Sequence, residues 1–278
     1  MKPDVAAVVR WGAESIWEAV VPEWPGFTVE VLPEIDSTNT ELMRRARAGR
    51  HEPVLLVAQT QTAGRGRLGR RWVSRVGDSL TFSVGVALAP ADWSGLSLAV
   101  GACVAEALDP ARTLGVRLKW PNDVWLGERK LAGILVETAG TGETGAGRYA
   151  VVGIGINIAT PEAVPAPPAA DNGAGAAVPA PVAPAGLREV LPGIDAPQLL
   201  ARVVPALMRT FAAFEQAGFA PFQARFAAYD LLADRAVRLS DGTTGTAHGV
   251  DETGALLVHT SAGMTRVSSA EVSVRPAS

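Results

Sequence analysis

Gly64-Arg65-Gly66-Arg67-Leu68-Gly69-Arg70-Arg71-Trp72 decides what kind of fold surrounds it. Glycines at alternate positions let the backbone take left-handed or ligand-hugging conformations that a Cβ blocks. The arginines between them are permanent forked cations suited to carboxylate and phosphate oxygens. Such a loop can wrap a small anion and release it. The letters also satisfy G-x-G-x-x-G after the apolar run Val54–Ala58. That dinucleotide fingerprint needs a helix directly after its last glycine, to bring a helix N-terminus to the pyrophosphate. Arg70 to Gly77 has no helical periodicity and Leu80–Val86 reads as a strand, so the Rossmann reading is set aside. Walker spacing fails as well, because Arg70-Arg71 stands where Lys-Ser/Thr is required. A solvated Arg/Gly tract that sticks to RNA is the bland alternative. The position of the loop between two apolar strands, 54–60 and 79–89, counts against it.

Outward from the loop, the bulk properties narrow the classes. A chain of 278 residues buries a full core and is expected to divide into two domains. A net charge of −3 and a pI near 5.7 argue against a nucleic-acid surface as the main business. The single cysteine, Cys103, lies in an apolar stretch and reads as a buried small hydrophobe in a reducing compartment. His51, His248 and His259 have no ligand-like spacing, so no metal site is assigned. With no membrane-length apolar run and no signal-peptide core, a cytoplasmic location is expected.

In chain order, residues 1–26 offer one amphipathic helix, Val5 to Val20, and Phe27–Leu32 alternates as a half-buried strand. In Ile35-Asp36-Ser37-Thr38-Asn39-Thr40-Glu41, Thr38 and Glu41 have capping-box spacing and open a helix through Ala48. Two adjacent hydroxyls exceed what one cap requires, so the cluster also offers donors and acceptors to a ligand's polar head. Ser94 to Leu108 reads as a helix that packs on the sheet.

Lys119-Trp120-Pro121-Asn122-Asp123 must turn, because proline cannot donate to a ladder, and the turn presents Lys119, Asn122 and Asp123. Lys130 opens the otherwise apolar strand 129–137, a costly place for a lysine unless an anion meets it. Gly133, Gly153 and Gly155 thin the strands 129–137 and 151–158, which suits a pocket floor; tight helix packing on them is the alternative. Residues 159–192, rich in alanine and proline and without an aromatic residue, read as an extended insert. A helical stripe follows from Asp195, kinked at Pro205, then a second helix over 221–229. Five short strands with turn chemistry after Asp234 predict a small SH3-like barrel.

These pieces together resemble the biotin protein ligases. Ile-Asp-Ser-Thr-Asn (35–39), Gly-Arg-Gly-Arg-x-Gly-Arg (64–70), Lys-Trp-Pro-Asn-Asp (119–123), Arg-Lys-Leu-Ala-Gly-Ile-Leu-Val-Glu (129–137) and Gly-Ile-Asn (155–157) fall in that family's order. Any one motif is weak; five in order are specific. The resemblance implies an α+β fold: a mixed sheet with helices packed on it, plus the C-terminal SH3-like barrel. It implies three segments: an N-terminal extension (1–26), a catalytic domain (27–233) with the insert at 159–192, and the barrel (234–278).

The implied chemistry has two steps. Biotin's carboxylate attacks the α-phosphate of ATP to give biotinyl-5′-AMP and pyrophosphate, with Mg²⁺ accompanying the nucleotide. A lysine of a biotin carboxyl carrier domain of an acyl-CoA carboxylase then attacks the acyl carbon. By resemblance, Ser37, Thr38, Asn39, Gln61, Gly64, Arg65, Lys130, Gly133 and Leu135 hold biotin. Arg67, Arg70, Trp72, Asn122, Lys130 and Asn157 form the nucleotide side. Lys130 and Arg67 offset the repulsion between two anions, and Asp123 orients or deprotonates the incoming amine.

Some members of the family carry an N-terminal winged helix and act as repressors. Residues 1–26 are too few for one, so no direct nucleic-acid partner is expected. The family often orders a segment after Gly-Ile-Asn over the adenine, and here that place holds the insert. Exposed sheet edges leave room for a homodimer, and no membrane partner is expected. The rivals are a lipoate or octanoate ligase, which would want an apolar tunnel, and a non-catalytic nucleotide or nucleic-acid binder.

Overall fold

Residue alternation sorts the strands into two sheets in the computed structural model, which describes residues 9–141, 147–162, 183–268 and 274–276. The first helix, α1 (Ala13–Val20), starts after Gly12, so it is shorter at its N-terminus than the sequence periodicity predicts. Residues 1–8 of that expectation lie outside the described residues. Strand β1 (Thr28–Ile35) leads into α2 (Thr38–Arg47), β2 (Val54–Gln61), β3 (Ser79–Leu88) and α3 (Leu96–Leu108). β4 (Val116–Lys119), β5 (Asp123–Leu126), β6 (Arg129–Gly140) and β7 (Arg148–Asn157) complete a seven-stranded sheet in the order β1-β2-β3-β7-β6-β5-β4. β1 and β2 are parallel and the other neighbours antiparallel, because α2 supplies the crossover that a parallel pair needs.

The two faces of this sheet differ in chemistry. Strand side chains alternate, so Leu80, Phe82, Val84 and Val86 of β3 share one face with Val152, Ile154 and Ile156 of β7. They form the main core with Ile16 and Val20 of α1, the small residues of α3, and the helix α4 (Ala196–Ala217). Thr81, Ser83 and Gly85 of β3, Gly153 and Gly155 of β7, and Gly133, Leu135 and Glu137 of β6 take the alternate positions. That face carries hydroxyls, amides and missing side chains, and α2 lies on part of it through Leu42, Met43 and Ala46.

α4 is one helix of 22 residues that continues through Pro205, with Leu199, Leu200, Val203, Val204, Leu207 and Phe211 buried. The segment expected to be helical over 221–229 begins with a 3₁₀ turn (Ala220–Phe222) and contains only the short α5 (Gln223–Ala227). β8 (Ala236–Leu239), β9 (Thr244–Val250), β10 (Leu256–Thr260), β11 (Gly263–Val267) and β12 (Val274–Pro276) then form a five-stranded antiparallel sheet. It is seated on the 119–123 turn: the buried Trp120 donates its indole N–H to Gly254 O at 3.1 Å, and Lys119 Nζ donates to Val274 O at 2.7 Å.

The expected insert needs correcting. Residues 163–182 lie outside the described residues, but the return of the chain at 183–192 is folded. Ala185 and Leu187 are fully buried, Ala185 N–H donates to Lys130 O at 2.8 Å, and Leu187–Glu189 forms a 3₁₀ turn. Composition averaged over the whole stretch concealed the apolar pair Leu187 and Leu191 that packs this end onto the core.

Candidate active site

The polar face of the main sheet begins at the N-terminus of α2. Ser37, not Thr38, is the N-cap: its backbone is extended and its Oγ accepts from Thr40 N–H at 3.4 Å. The expected Thr38–Glu41 capping box is absent, and Glu41 instead pairs with Arg44 and Arg45 on the outer face of the helix. Releasing Thr38 from the cap turns its hydroxyl inward. Thr38 Oγ1 lies 2.7 Å from Ser83 Oγ and 3.2 Å from Gln61 Oε1, and Thr38 N–H donates to Gln61 Oε1 at 2.8 Å.

Ser83 is fully buried and has one proton to give. Asn39 Oδ1, 2.6 Å away, is purely an acceptor and takes it, so Thr38 is the donor toward Ser83. The other end of Asn39 donates to Glu137 Oε2 at 3.0 Å and to Leu135 O at 3.3 Å. Gly153 makes room for this amide, since a Cβ there would overlap Asn39 Oδ1. For Gly153, therefore, tight helix packing is the correct reading rather than a ligand floor.

The arginine–glycine loop folds back on itself as a short hairpin. Trp72 N–H donates to Gly64 O at 2.9 Å, Gly66 N–H to Arg70 O at 2.7 Å, and Arg65 bridges Arg71. At the tip, Leu68 and Gly69 both take positive φ (56° and 70°), and the Leu68 side chain is exposed. The coil from Arg70 toward Gly77 contains no helix, in keeping with the rejection of the dinucleotide fingerprint.

The loop lays the Trp72 indole on the paired glycines of β6 and β7. A Cβ on Gly155 would overlap the ring, and one on Gly133 would lie 3.7 Å from it and 3.2 Å from Lys130 Nζ. Arg65 Nη2 donates to Glu137 Oε1 at 3.3 Å. Arg67 is half-buried. Burial pulls its guanidinium below the ordinary arginine value, the nearby Asp123 pushes it back up, and Arg70 adds to the fall. Arg70 itself is exposed.

Lys130 and Asp123 meet where β5 and β6 diverge. Lys130 Nζ donates to Asp123 Oδ1 at 2.7 Å, with both side chains partly exposed. A register shift between Val124 and Trp125 lets Lys130 reach back along the hairpin to Asp123, whose own partner in the ladder is Gly133. Asn122 and Asn157 are spent on architecture. Asn122 Nδ2 donates to Ile134 O at 2.8 Å, fastening the 119–123 turn to β6. The buried Asn157 donates to Ala185 O at 3.0 Å, fastening the folded end of the insert to β7.

Most of the residues expected from the sequence thus lie along the polar face, in two groups, while Asn122 and Asn157 fasten backbone at its margin and Arg70 is exposed. Ser37, Thr38, Asn39, Gln61 and the Leu135 carbonyl make a neutral hydrogen-bonding patch. Arg67, Lys130 and Asp123 make a charged one, with Trp72 between them over Gly133 and Gly155. Ser83, Glu137 and Ala185 belong to the same constructions and were not picked out from the sequence. The loop's four arginines and Lys130 outnumber Asp123 and Glu137, the carboxylates that Lys130, Arg67 and Arg65 meet, so the loop and the strand ends beside it carry excess positive charge. Among the described residues no group of three or more His, Cys, Asp or Glu side chains gathers to hold a metal, and no helix is long and apolar enough to cross a membrane.

A neutral polar patch beside a cationic loop on a mixed sheet, with a small antiparallel sheet docked on the 119–123 turn, defines an acyl-activating ligase of the biotin/lipoate type. The Biotin/lipoate A/B protein ligase family matches residues 31–157, and the Biotin protein ligase C terminal domain matches residues 234–275. The chain is 37% identical to the bifunctional ligase/repressor BirA of Escherichia coli, across 86% of this chain and 71% of that protein. It is 36% identical to the biotin–[acetyl-CoA-carboxylase] ligase of Paracoccus denitrificans, across 87% of this chain and 98% of that one. The structure of biotin protein ligase from Aquifex aeolicus in complex with biotin and ATP superposes with a TM-score of 0.69 at 30% identity, covering 90% of this chain and 99% of that one. The chain belongs to the biotin protein ligase family.

Proposed function

We propose that this enzyme activates biotin with ATP to biotinyl-5′-AMP and then transfers biotin to a lysine of a biotin carboxyl carrier domain of an acyl-CoA carboxylase. The observation that carries the assignment of the site is the adjacency of the neutral patch and the charged one. A ureido ring is uncharged and wants short donors and acceptors, which Ser37, Thr38, Gln61 and the backbone at Gly64, Gly133 and Leu135 supply, while Asn39, whose amide is spent on Ser83, Leu135 and Glu137, holds the patch in shape. A saturated acyl chain would gain nothing from that patch.

The first step presses a carboxylate against a polyphosphate. Lys130 and Arg67 reduce that repulsion and meet the charge that develops on the α-phosphate. Arg67 suits the task because burial has already stripped part of its hydration, so an arriving anion restores lost stabilisation. Arg70 and Trp72 border the nucleotide. Asn122 and Asn157 shape that side through the backbone they fasten. The nucleotide brings Mg²⁺ as its counter-ion, and a carboxylate-poor face fits an ion held mainly by phosphate and water.

In the second step the carrier's lysine must attack as a neutral amine, although free lysine is protonated near pH 7. Asp123, with Lys130 beside it, orients that amine and accepts its proton, and AMP leaves with the bonding electrons. The adenylate is a mixed anhydride that water would consume, so a loop that closes on it protects it. ATP–pyrophosphate exchange measured with biotin and with lipoate tests the reading. Exchange with biotin alone is expected. Lipoate-driven exchange would point to the sister activity, and exchange with neither would point to a non-catalytic binder.

A further inference from the structure

The hydrogen bonds on the polar face form a ring. Gln61 ends β2, and its Oε1 takes Thr38 N–H at 2.8 Å. Thr38 reaches Ser83, Ser83 donates to Asn39 Oδ1, and Asn39 donates to Glu137 Oε2 at 3.0 Å. Glu137 Oε1 takes Arg65 Nη2 at 3.3 Å, and Arg65 Nη1 also reaches Thr40 Oγ1 at 3.4 Å. Gln61 and Arg65 flank Gly64 in one stretch of chain, so the ring closes at the root of the loop.

Its members differ in freedom. Thr38, Asn39 and Ser83 are buried, with relative exposures of 3%, 3% and 0%. The Arg65 side chain is half exposed. Glu137, 23% exposed, stands at the seam between the fixed part and the loop, on a stretch of β6 beyond its last pairing with β5 at Gly133. Among the ring members only Glu137 and Arg65 are charged, so the attraction that draws the loop onto the sheet is concentrated there.

We infer that Glu137 is a positioning residue: its carboxylate, anchored by the immobile Asn39 amide, draws Arg65 down and pre-sets the loop over biotin's polar head. The division of labour among the loop's arginines follows. Arg65 docks the loop on Glu137, and Arg67, in the field of Asp123, serves the reacting anions.

Glu137→Gln keeps the shape and the acceptor for Asn39 and removes the charge. With the full chain in biotin-dependent ATP–pyrophosphate exchange, KM for biotin rises about tenfold, the size expected for one charge-assisted hydrogen bond lost at a partly exposed site. At saturating biotin kcat stays within about threefold, because bound ligand then holds the loop and Lys130 and Arg67 are intact. Trypsin cleaves at the loop arginines faster in the variant without biotin and at the parental rate with saturating biotin. In an Arg65→Ala background, Glu137→Gln adds nothing further. An unchanged KM, or an effect just as large with Arg65 already removed, overturns the inference. The inference rests on biotin being the substrate, and exchange by the parent checks that separately. A parent that shows no exchange with biotin refutes the functional reading, while the trypsin comparison without ligand still decides whether Glu137 holds the loop.

Discussion

Replacing Gly153 by alanine tests whether that position on β7 exists to seat Asn39. An added Cβ would overlap Asn39 Oδ1 and stand 2.8 Å from its Cγ, so the amide has to move. Asn39 is 3% exposed, accepts from Ser83 Oγ at 2.6 Å and donates to Glu137 and to Leu135 O, so any movement breaks several bonds at once. Overfilling a tight site costs about 1–3 kcal/mol. Unseating the buried Asn39 amide from its partners adds about 1–3 kcal/mol more. The expected loss in urea unfolding is therefore roughly 2–6 kcal/mol, with weakened biotin binding because Thr38 is tied to the same serine. Gly155→Ala is the control. Its Cβ would overlap the Trp72 ring, but that ring is carried on a loop and can swing aside at a cost below about 1 kcal/mol. Equal losses in the two variants, or a Gly153→Ala protein within about 0.5 kcal/mol of the parent, would refute the seating argument.

Two further outcomes follow from the loop and from the junction between the sheets. Arg67→Gly retains some adenylate synthesis but loosens the closed loop, so biotin is expected on lysines of bystander proteins such as serum albumin; labelling confined to the carrier would contradict retention by the loop. Asp230, beside Leu118 at the start of the C-terminal unit, has a buried Oδ2 without a hydrogen-bond partner, and burial pushes its carboxyl up from near 3.8 to about 6. The folded state therefore binds that proton more tightly than the unfolded chain, so stability falls as pH rises from about 4 to about 6 and stays lower above. Asp230→Asn, which keeps the acceptor for Leu232 N–H, should be more stable than the parent at pH ~8 by on the order of 3 kcal/mol and indistinguishable near pH ~3. Thermal unfolding at the two pH values checks this, and an equal gain at both removes the argument.

Much of the site could be read from local chemistry. The glycine spacing of 64–69, the proline turn at 121 and a lysine at the head of an apolar strand each have a local physical reason, and the structure gathers all three on one face. What escaped depends on partners distant in sequence. Ser83 looks like any strand serine; the signal that could have found it is period-two alternation, which puts it on the same face as Thr81 and Gly85. Glu137 closes a motif whose lysine drew the attention, and its partner Arg65 lies 72 residues away. The cap at Ser37 against Thr38 is a one-residue ambiguity between two hydroxyls, and only the inward pull of Ser83 and Gln61 resolves it. In the sequence Trp120 and Lys119 belong only to a turn, whereas both donate to carbonyls of the C-terminal sheet, a docking that no periodicity reveals. The sequence offers the glycines of β7 as a pocket floor or as a seat for helix packing, and the structure divides them: Gly153 seats a helix side chain and Gly155 lies under the loop's indole.

In the proposed mechanism Lys130 and Arg67 together offset the repulsion between biotin's carboxylate and the nucleotide's phosphates. Removing one such preorganised donor typically lowers the rate about 10²–10³-fold. Biotin-dependent ATP–pyrophosphate exchange by the folded Lys130→Gln/Arg67→Gln double variant measures the claim directly. Exchange at background is the expected result, and exchange at the parental rate would contradict the account.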